Sequence, residues 1–523
     1  MFYTLATTVG TMATMQASFV VFYPQVRIGS VPIFTLIYTL AAIPTACLLL
    51  CLAILTHAMP RTGGDYIFTS RITHPFLGWI EGWMLIWSIG ATFGFNGWAC
   101  IYSLGLWFKS GIVMSPGSFS IGEAINSTTW MLILGAVMFV LLAFMALSHS
   151  RRYHLILSTL GAICLASIFI QIIGLAGVTS QTFAANFEKF SGMTQQGVMD
   201  QAREMGWDPT WIDWSGMLAL LGYTIFGYTG ASFSTYIAGE LKGNIQRNAA
   251  IAMITTLGIL AFTSWYILPY MNSAGYEFTN AWAYLFWNGA DKVPLGGPPT
   301  TTTIAAIASP GLAWLILPVG FFLLVVYNFV ALSAVAYAGV RVVFAQAMDR
   351  LYPMKLAHIN ERTHQPVIAT LLIMIVGFIF YSGQILGYSP FAGLWYLAAT
   401  AVIGYLFFPA VNVLLLKRRR PDVYELTPSW SRKKFLGLPV MKWLAVIWLA
   451  YLVPIFTIVN LWTPINSMLQ METSTLLSYA FGTGLILICL GVTIGTIYYI
   501  ARRYYLSKRG IDLSMIFQAI PPE

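Results

Sequence analysis

The sequence predicts an all-α polytopic membrane protein, and three observations support this fold class. Of the 523 residues, 58% are hydrophobic and only 9% are charged, whereas soluble domains average about 25% charged residues. The mean hydropathy is +0.74. Apolar stretches of about 20 residues, enough to cross a hydrocarbon core of about 30 Å, recur along the chain. This composition argues against a soluble enzyme, a disordered regulator and a nucleic-acid binder.

Twelve apolar stretches are predicted to cross the membrane as helices, and we number them spans 1 to 12. The connections between them are too short to form a separate soluble domain. In chain order the predicted limits are 2–23, 33–57, 76–107, 130–148, 153–178, 214–238, 248–271, 309–340, 366–384, 391–416, 440–461 and 476–503.

The distribution of lysine and arginine predicts the orientation. Of the 27 basic residues, 22 follow even-numbered spans and five lie on the other side, and the side richer in basic residues is the cytoplasmic one. Both termini are therefore predicted to be cytoplasmic, in a protein of the cell membrane. The net charge of +9 is then a consequence of topology. Lys417–Arg420 is interpreted as a contact with anionic lipid, with a nucleic-acid patch as the rival interpretation.

Ionisable side chains are almost absent from the middle of the spans. Glu81 lies about one and a half turns into span 3, close enough to reach the cytoplasmic interface, and no span has a central lysine or arginine. This pattern argues against a voltage sensor or a carboxylate relay. The sequence has no zinc-protease, nucleophile-elbow or phosphate-loop motif, so neither an enzyme nor a bound metal or cofactor is predicted.

Interrupted helices are the alternative source of binding chemistry. A helix broken inside a membrane exposes N–H groups that attract an anion and C=O groups that attract a cation, which suits a zwitterion. Glycines and small polar residues mark such breaks in spans 1 and 6. The candidate binding residues are Thr14, Met15, Gln16 and Ala17 in span 1 and Phe226, Gly227, Tyr228, Thr229 and Gly230 in span 6. A small-residue face that packs on a neighbouring helix is the alternative for both spans.

Three stretches together resemble the amino acid–polyamine–organocation (APC) transporter superfamily. Pro60–Tyr66 is similar to the P-x-x-G-G-x-Y loop of that superfamily after its second helix. Gly230, followed ten residues later by Glu240, resembles the end of its sixth helix. Arg341 to Pro353, continuing to Gln365-Pro366, resembles its loop between helices 8 and 9. The resemblance covers roughly residues 1–420.

The resemblance implies a leucine-transporter-like fold with a 5+5 inverted repeat and discontinuous helices 1 and 6. The first repeat would be residues 1–180 and the second 213–416, followed by two extra spans in 440–505 and a cytoplasmic tail in 506–523. It also implies alternating access and an amino acid or small organic amine as substrate. Phe226 matches the aromatic gate of the superfamily, and Gly227 to Gly230 match its unwound segment, whose carbonyls receive the ammonium group.

Two departures from the superfamily pattern leave the recognition and coupling mechanisms open. The usual glycine-containing break in helix 1 corresponds to Thr14-Met15-Gln16, which has no glycine. Span 5 has no lysine near Cys164 or Leu165, where some proton-driven members place one. Ser333 is a candidate sodium contact, although a bond from its hydroxyl to its own helix is the competing interpretation. Sodium coupling, proton coupling, exchange and uniport all remain compatible with the sequence.

The predicted function is secondary active transport of an amino acid or related amine across the cell membrane. The alternative is a non-transporting sensor or assembly subunit that keeps the fold, in which Met15, Phe226 or Tyr228 would fill the pocket. The predicted partners are the small-molecule substrate and the lipid bilayer, without nucleic acid. The sequence does not determine the oligomeric state.

Overall fold

The computed structural model describes residues 27–28, 31–109, 118–209, 225, 228–240, 245–263, 274–321, 325–387, 406–471 and 485–518. Within these ranges, seven helices are long and apolar enough to cross a membrane. They are Thr39–Ala58, Pro75–Lys109, Thr128–Leu147, Ser150–Leu175, Tyr327–Met348, Val367–Ile385 and Ile486–Ser507. The chain is a multi-pass, mainly helical membrane protein. The twelve-span arrangement and its repeat remain predictions.

Apart from span 8, the helices of the predicted spans lie close to their predicted positions where the structure describes them. Span 1 and much of span 6 lie outside the described residues. The helix bounds are Ile33–Ala58 for span 2, Pro75–Lys109 for span 3, Thr128–Leu147 for span 4, Ser150–Leu175 for span 5, Ile245–Thr263 for span 7, Tyr327–Met348 for span 8, Val367–Ile385 for span 9, Phe407–Arg419 for span 10, Val440–Phe456 for span 11 and Leu485–Ser507 for span 12. Span 11 continues through a π-helical turn, Thr457–Trp462, into the helix Thr463–Leu469.

Span 8 differs most from its predicted limits of 309–340. A short 3₁₀ turn, Pro310–Leu312, and the helix Ala313–Phe321 come first, and the spanning helix Tyr327–Met348 then continues beyond residue 340. Arg341 therefore lies inside the helix, although its charge suggested a loop. The helix can contain this buried guanidinium because Glu240 neutralises it.

Short helices lie in the connections between the spans and after span 12. Thr179, Thr194 and Thr300 each begin one of them, and in each case the threonine hydroxyl accepts from the backbone N–H three residues later, as preferred N-caps do. The short helices are Asp65–Ile72, Ser118–Ile125, Ser180–Ser191, Gln195–Glu204, Tyr276–Trp287, Thr301–Ala308, Pro421–Glu425, Ser429–Arg432 and Leu513–Ile516, with 3₁₀ turns at Pro294–Gly296 and Met354–Ala357.

Two antiparallel hairpins form the strands of the described residues. Arg27–Ile28 pairs with Val31–Pro32, and Lys434–Phe435 pairs with Leu438–Pro439. The second turn places Leu436 at φ 46° and Gly437 at φ 82°. Two consecutive residues with positive φ are the signature of the two-residue turn that matches strand twist.

Span 3 is central to the packing of the helices. It contacts spans 8, 9 and 12, while span 2 packs on spans 7 and 11. Two indoles of span 3 bond to span 12: Trp79 Nε1 donates to the carbonyl of Gly495, and Trp83 Nε1 donates to that of Gly491, both at 2.8 Å. The indole N–H groups thereby find acceptors inside the apolar core, where an unsatisfied donor would be costly.

Spans 4 and 9 meet at Gly135, where the ring of Tyr381 occupies the space of a side chain. The Tyr381 hydroxyl donates to the carbonyl of Met131 at 2.5 Å. Because this ring is fully buried, it has little room to move away from a larger residue at position 135.

We expect Gly135→Ala to destabilise the protein by about 1–3 kcal/mol, because the added methyl group overpacks this contact. Gly258→Ala is the matched control, since no heavy atom of the described residues lies within 4 Å of a Cβ at that position of span 7. Both changes gain the same helix propensity. Thermal unfolding in detergent should give a lower midpoint for Gly135→Ala alone, and equal midpoints would contradict this packing.

Candidate functional site

The predicted binding residues are only partly described by the structure. Thr14, Met15, Gln16, Ala17, Phe226 and Gly227 lie outside the described residues. Tyr228 and Gly230 are buried, and the backbone of Thr229 begins a 3₁₀ helix that extends to Glu240. Because 3₁₀ runs rarely exceed three or four residues and often mark hinges or strain, this segment is unusual for a membrane span.

The 3₁₀ segment of span 6 is fastened to the loop that follows span 2. The Tyr236 hydroxyl donates to Oδ2 of Asp65 at 3.0 Å, and the Gly63 N–H donates to the Tyr236 carbonyl at 3.1 Å. Gly63 and Gly64 have φ values of 111° and 52°, and a Cβ on Gly64 would lie 2.7 Å from the Tyr236 ring. Side chains other than glycine would therefore disrupt this close approach.

A first polar cluster joins the end of span 6 to span 8, and we call it the Glu240 cluster. Its members are Glu240, Tyr337, Arg341 and Gln365. The Arg341 guanidinium donates to both oxygens of Glu240 and to Oε1 of Gln365. The Tyr337 hydroxyl donates to Glu240 Oε2 at 2.9 Å, and the guanidinium lies 3.9 Å from the Tyr337 ring centroid. The cluster satisfies a charge that is otherwise expensive to bury.

A second polar cluster, the Asp349 cluster, joins the helix Asp65–Ile72 to the end of span 8. Arg71 donates through Nη1 to Oδ2 of Asp349 and through Nη2 to Oδ1, both at 2.6 Å. The Tyr66 hydroxyl also donates to Asp349. Burial lowers the pKa of Arg71, but its bonds to Asp349 and the charge of Asp349 outweigh burial, so the net pKa is raised. Burial and the same carboxylate raise the pKa of Tyr66.

Two carboxyl groups are buried together between these clusters. Asp65 and Glu81 have relative exposures of 1% and 3% and interact electrostatically. Oδ1 of Asp65 lacks a hydrogen bond within the described part of the chain, and Thr69 is the side chain that interacts with the Glu81 carboxyl group. Burial raises the pKa of Asp65 to about 7, although the hydrogen bond from Tyr236 opposes the rise. The expectation that Glu81 reaches the cytoplasmic interface was wrong, because the helix Asp65–Ile72 packs over this end of span 3.

Spans 5 and 8 are joined by two tyrosine hydroxyls. Tyr153 donates to the carbonyl of Ser333 at 2.7 Å, and Tyr327 donates to that of Cys164 at 2.8 Å. The Ser333 hydroxyl itself donates to the Phe329 carbonyl one turn earlier, at 2.8 Å. A sodium contact of Ser333 stays a prediction.

The other end of span 3 borders a cavity of about 30 Å³. Trp107, Trp282 and Thr302 are among the residues that line it. Between the described residues this space admits about two water molecules, which is less room than an amino acid needs. Gln171 Nε2 donates to Thr302 Oγ1 at 3.3 Å and Ser309 Oγ donates to the Gly174 carbonyl at 2.6 Å, which holds this region against span 5.

A comparison with protein families adds to this geometry. The family model described as amino acid permease matches residues 1–492. The chain belongs to the amino acid permease family. None of the curated proteins compared with it matches. The family confirms the resemblance to the APC superfamily, and the chain is accordingly a membrane transporter.

The permease contains polar pairs that the sequence did not reveal as pairs. Asp65, Tyr66, Asp349 and Arg341 all stand in the motifs that carried the resemblance, but those motifs assign them no partners. The motifs beside the apolar spans contain several ionisable residues. Because such groups require a partner once they are buried, their number could have indicated buried polar pairs. The positions of Arg71 and Gln365 beside apolar spans also indicated buried polar contacts, but only weakly.

The ion pair of the Asp349 cluster should be essential for stability in the permease. We expect Asp349→Asn to lower the free energy of unfolding by about 3–5 kcal/mol, because it leaves Arg71 buried without its counter-charge. The double variant Arg71→Met/Asp349→Leu should recover most of the loss. Thermal unfolding in detergent measures both.

The exposed pair between Arg203 and Asp200, with side chains 44% and 54% exposed, provides the control. Arg203→Ala should cost less than about 1 kcal/mol, because solvent screens exposed pairs. Similar losses for Arg203→Ala and Asp349→Asn would show that burial does not set the strength of the Asp349 pair.

The buried Asp65 carboxyl should make the stability of the permease depend on pH. Its ordinary pKa is 3.8 and its folded pKa is about 7, so the folded state keeps the proton to higher pH than the unfolded state. The stabilisation is complete below pH 3.8 and is lost as the pH rises through about 7.

Asp65→Asn should flatten this part of the profile and raise the melting midpoint above pH 7 relative to the unmodified protein, because the amide never ionises and can still accept from Tyr236. Asp422→Asn is the control: hydrogen bonds from Arg420 lower the pKa of this exposed carboxyl, so its removal should leave the fall between pH 3.8 and 7 in place. An unchanged profile for Asp65→Asn would show that another group causes the pH dependence.

Proposed function

We propose that the protein is a secondary active transporter that moves an amino acid or related small organic amine across the cell membrane by alternating access. The observation that carries this proposal is the 3₁₀ segment Thr229–Glu240, which begins at the residues predicted to bind the substrate. Non-α backbone in a membrane is tolerated where it is buried in protein or lines a watery cavity. Membership of the amino acid permease family supports the same class of substrate.

Under this proposal, peptide groups of spans 1 and 6 bind the substrate. The carbonyls of Gly227 to Gly230 receive the ammonium group, and Phe226 covers it. The side chains of Thr14 and Gln16 supply donors in place of the glycine amides absent from span 1, with Met15 and Ala17 beside them. Tyr228 and Gly230 are buried, and burial strengthens a bond between a dipole and a charge.

The polar clusters would act as the cytoplasmic gate. Asp65 and Glu240 hold the end of span 6 against the loop after span 2 and against span 8. In a transporter of this fold, cytoplasmic release requires these surfaces to separate. The Arg341–Glu240 bonds must then exchange for water, so their strength would set the population of the inward-open state.

The orientation and the driving force also belong to the proposal. The excess of basic residues at the ends of even-numbered spans supports an orientation with both termini in the cytoplasm. Sodium, with Ser333 among its ligands, and protons are both candidates for coupling. The buried Asp65 is a proton-binding group within the proposed gate, whereas exchange and uniport require no coupling ion.

The direct test is uptake by proteoliposomes that contain the purified full-length protein. Radiolabelled amino acids and polyamines would be screened with a sodium gradient, with a pH gradient and with neither. Saturable uptake of one of these compounds is the expected result. Binding without flux would instead favour a sensor or assembly subunit, and absence of both binding and flux would contradict the proposal.

Gly230→Leu should abolish uptake, because the buried side chain would occupy the space of the substrate beside the unwound backbone. Gly258→Leu, on the open face of span 7, is the control and should transport normally. Size-exclusion chromatography and melting midpoints establish that both variants are folded. Normal uptake by folded Gly230→Leu would remove the assignment of the site to span 6.

A further inference from the structure

A second cavity lies between the ends of the spans, outside the proposed transport path. Its volume is about 450 Å³. The connection between the helix Asp65–Ile72 and span 3 forms one wall, and the ends of spans 10 and 12 form the next. The last wall is the C-terminal segment around Leu513–Phe517. This volume falls in the range of small-molecule sites, about 300–1,000 Å³.

The lining of this cavity is strongly basic. His74, Arg419, Arg420 and Arg503 contribute to it, and none of the described residues that line it is acidic. Arg71 also lines the cavity, but Asp349 neutralises its charge. Arg420 is likewise paired with Asp422, so the uncompensated positive charges around this space are those of Arg419 and Arg503, and they favour an anion.

The arginines keep donors that are not used inside the protein. Arg420 bonds to Asp422 through Nε and Nη2, while its Nη1 has no hydrogen-bond partner within the described chain. Arg419 and Arg503 are exposed, and the described part of the structure records no hydrogen bond or ion pair for either. Planar guanidinium groups bind phosphate through paired N–H donors, which makes arginine well suited to this ligand.

His74 adds an oriented donor. Its Nδ1 accepts from the backbone N–H of Phe76 at 3.2 Å, so the proton of the neutral imidazole is on Nε2. The hydroxyls of Ser70 and Thr73 are already engaged, with Arg71 and Asn412 respectively. Tyr499 and Gln518 also line the cavity and are neutral donors. The guanidinium groups carry a full positive charge, and this charge favours an anion over a neutral polar ligand.

We propose that this cavity binds a phosphate group at the membrane surface, either in the headgroup of an anionic lipid or in a soluble phosphate compound. Arg419, Arg420 and Arg503 would hold the phosphate oxygens, and His74 would donate a further bond. Leu513 and Phe517, both buried, form the apolar side of the site. Phe517 also lies 5.0 Å from the Arg71 guanidinium, so the C-terminal segment connects the bound phosphate to the Asp349 cluster.

Binding to the purified full-length protein tests this proposal without any measurement of transport. One arm adds inorganic phosphate or glycerol 3-phosphate to protein in a neutral detergent, at constant ionic strength set with chloride. The other arm compares nanodiscs of phosphatidylglycerol with nanodiscs of phosphatidylcholine. The melting midpoint should rise in at least one arm, and the arm that responds identifies the source of the phosphate.

Arg419→Gln and Arg503→Gln, alone and together, should remove this rise. Each change should weaken binding by about tenfold, as expected for the loss of a charge-assisted hydrogen bond. Arg418→Gln is the matched control, because Arg418 is an exposed neighbour on the same helix end that does not line the cavity. Because the substituted residues are exposed, the variants should keep the unliganded melting midpoint.

Two results would overturn the proposal. The first is the absence of a saturable shift in both arms. The second is an equal loss in Arg418→Gln and in the cavity variants, which would identify the effect as general attraction of anions to a basic surface.

Discussion

The ion pair between Arg71 and Asp349 is the contact on which one end of the helical structure depends. Both groups are almost completely buried, and each would be very costly to bury alone. Their bidentate geometry fixes the helix Asp65–Ile72 against the end of span 8. The Phe517 ring lies near the same guanidinium, so the C-terminal segment is positioned by the pair as well. The helix Asp65–Ile72, the end of span 8 and the C-terminal segment are thus held together at one ion pair.

The 3₁₀ backbone of span 6 depends on contacts with the loop after span 2 and with span 8. The positive φ values of Gly63 and Gly64 bring the loop backbone within bonding distance of Tyr236. Glu240, the last residue of the 3₁₀ segment, binds Arg341. A poorly hydrogen-bonded helix type is stable here because side chains and loop backbone supply the missing interactions. Those interactions are also the ones that a transport cycle would have to break and remake.

Much of the fold was predictable because helices that cross a membrane require long apolar stretches, which are visible in the sequence. Apolar runs bounded by proline, glycine and charged residues located spans 2, 3, 4, 5 and 9 to within a few residues. The limit of span 8 was wrong because Arg341 was treated as a loop residue. Its partner Glu240 lies 101 positions away in the sequence. A local hydropathy average cannot show that a residue so distant neutralises the charge of Arg341. Glu81 was misplaced for the same kind of reason, since packing by another segment buries it.

The candidate site was less predictable than the fold. The motif around Gly63 and Gly64 identified the segment that contacts span 6, and the family match agrees with that resemblance. The pairing of Tyr66 with Asp349, 283 positions apart, required the folded structure. The assignment of substrate contacts to spans 1 and 6 remains a prediction. It was derived from glycine placement, which marks a possible break but does not specify the ligand.

The bonds from Trp79 and Trp83 to span 12 have a mechanical consequence for span 3. That helix is 35 residues long and contains glycines at 78, 82 and 90, which allow close packing but remove side chains that would stiffen it. The two indoles tie it to a second helix at Gly495 and Gly491, one turn apart. Span 12 therefore stiffens span 3, and the two helices should bend and tilt together.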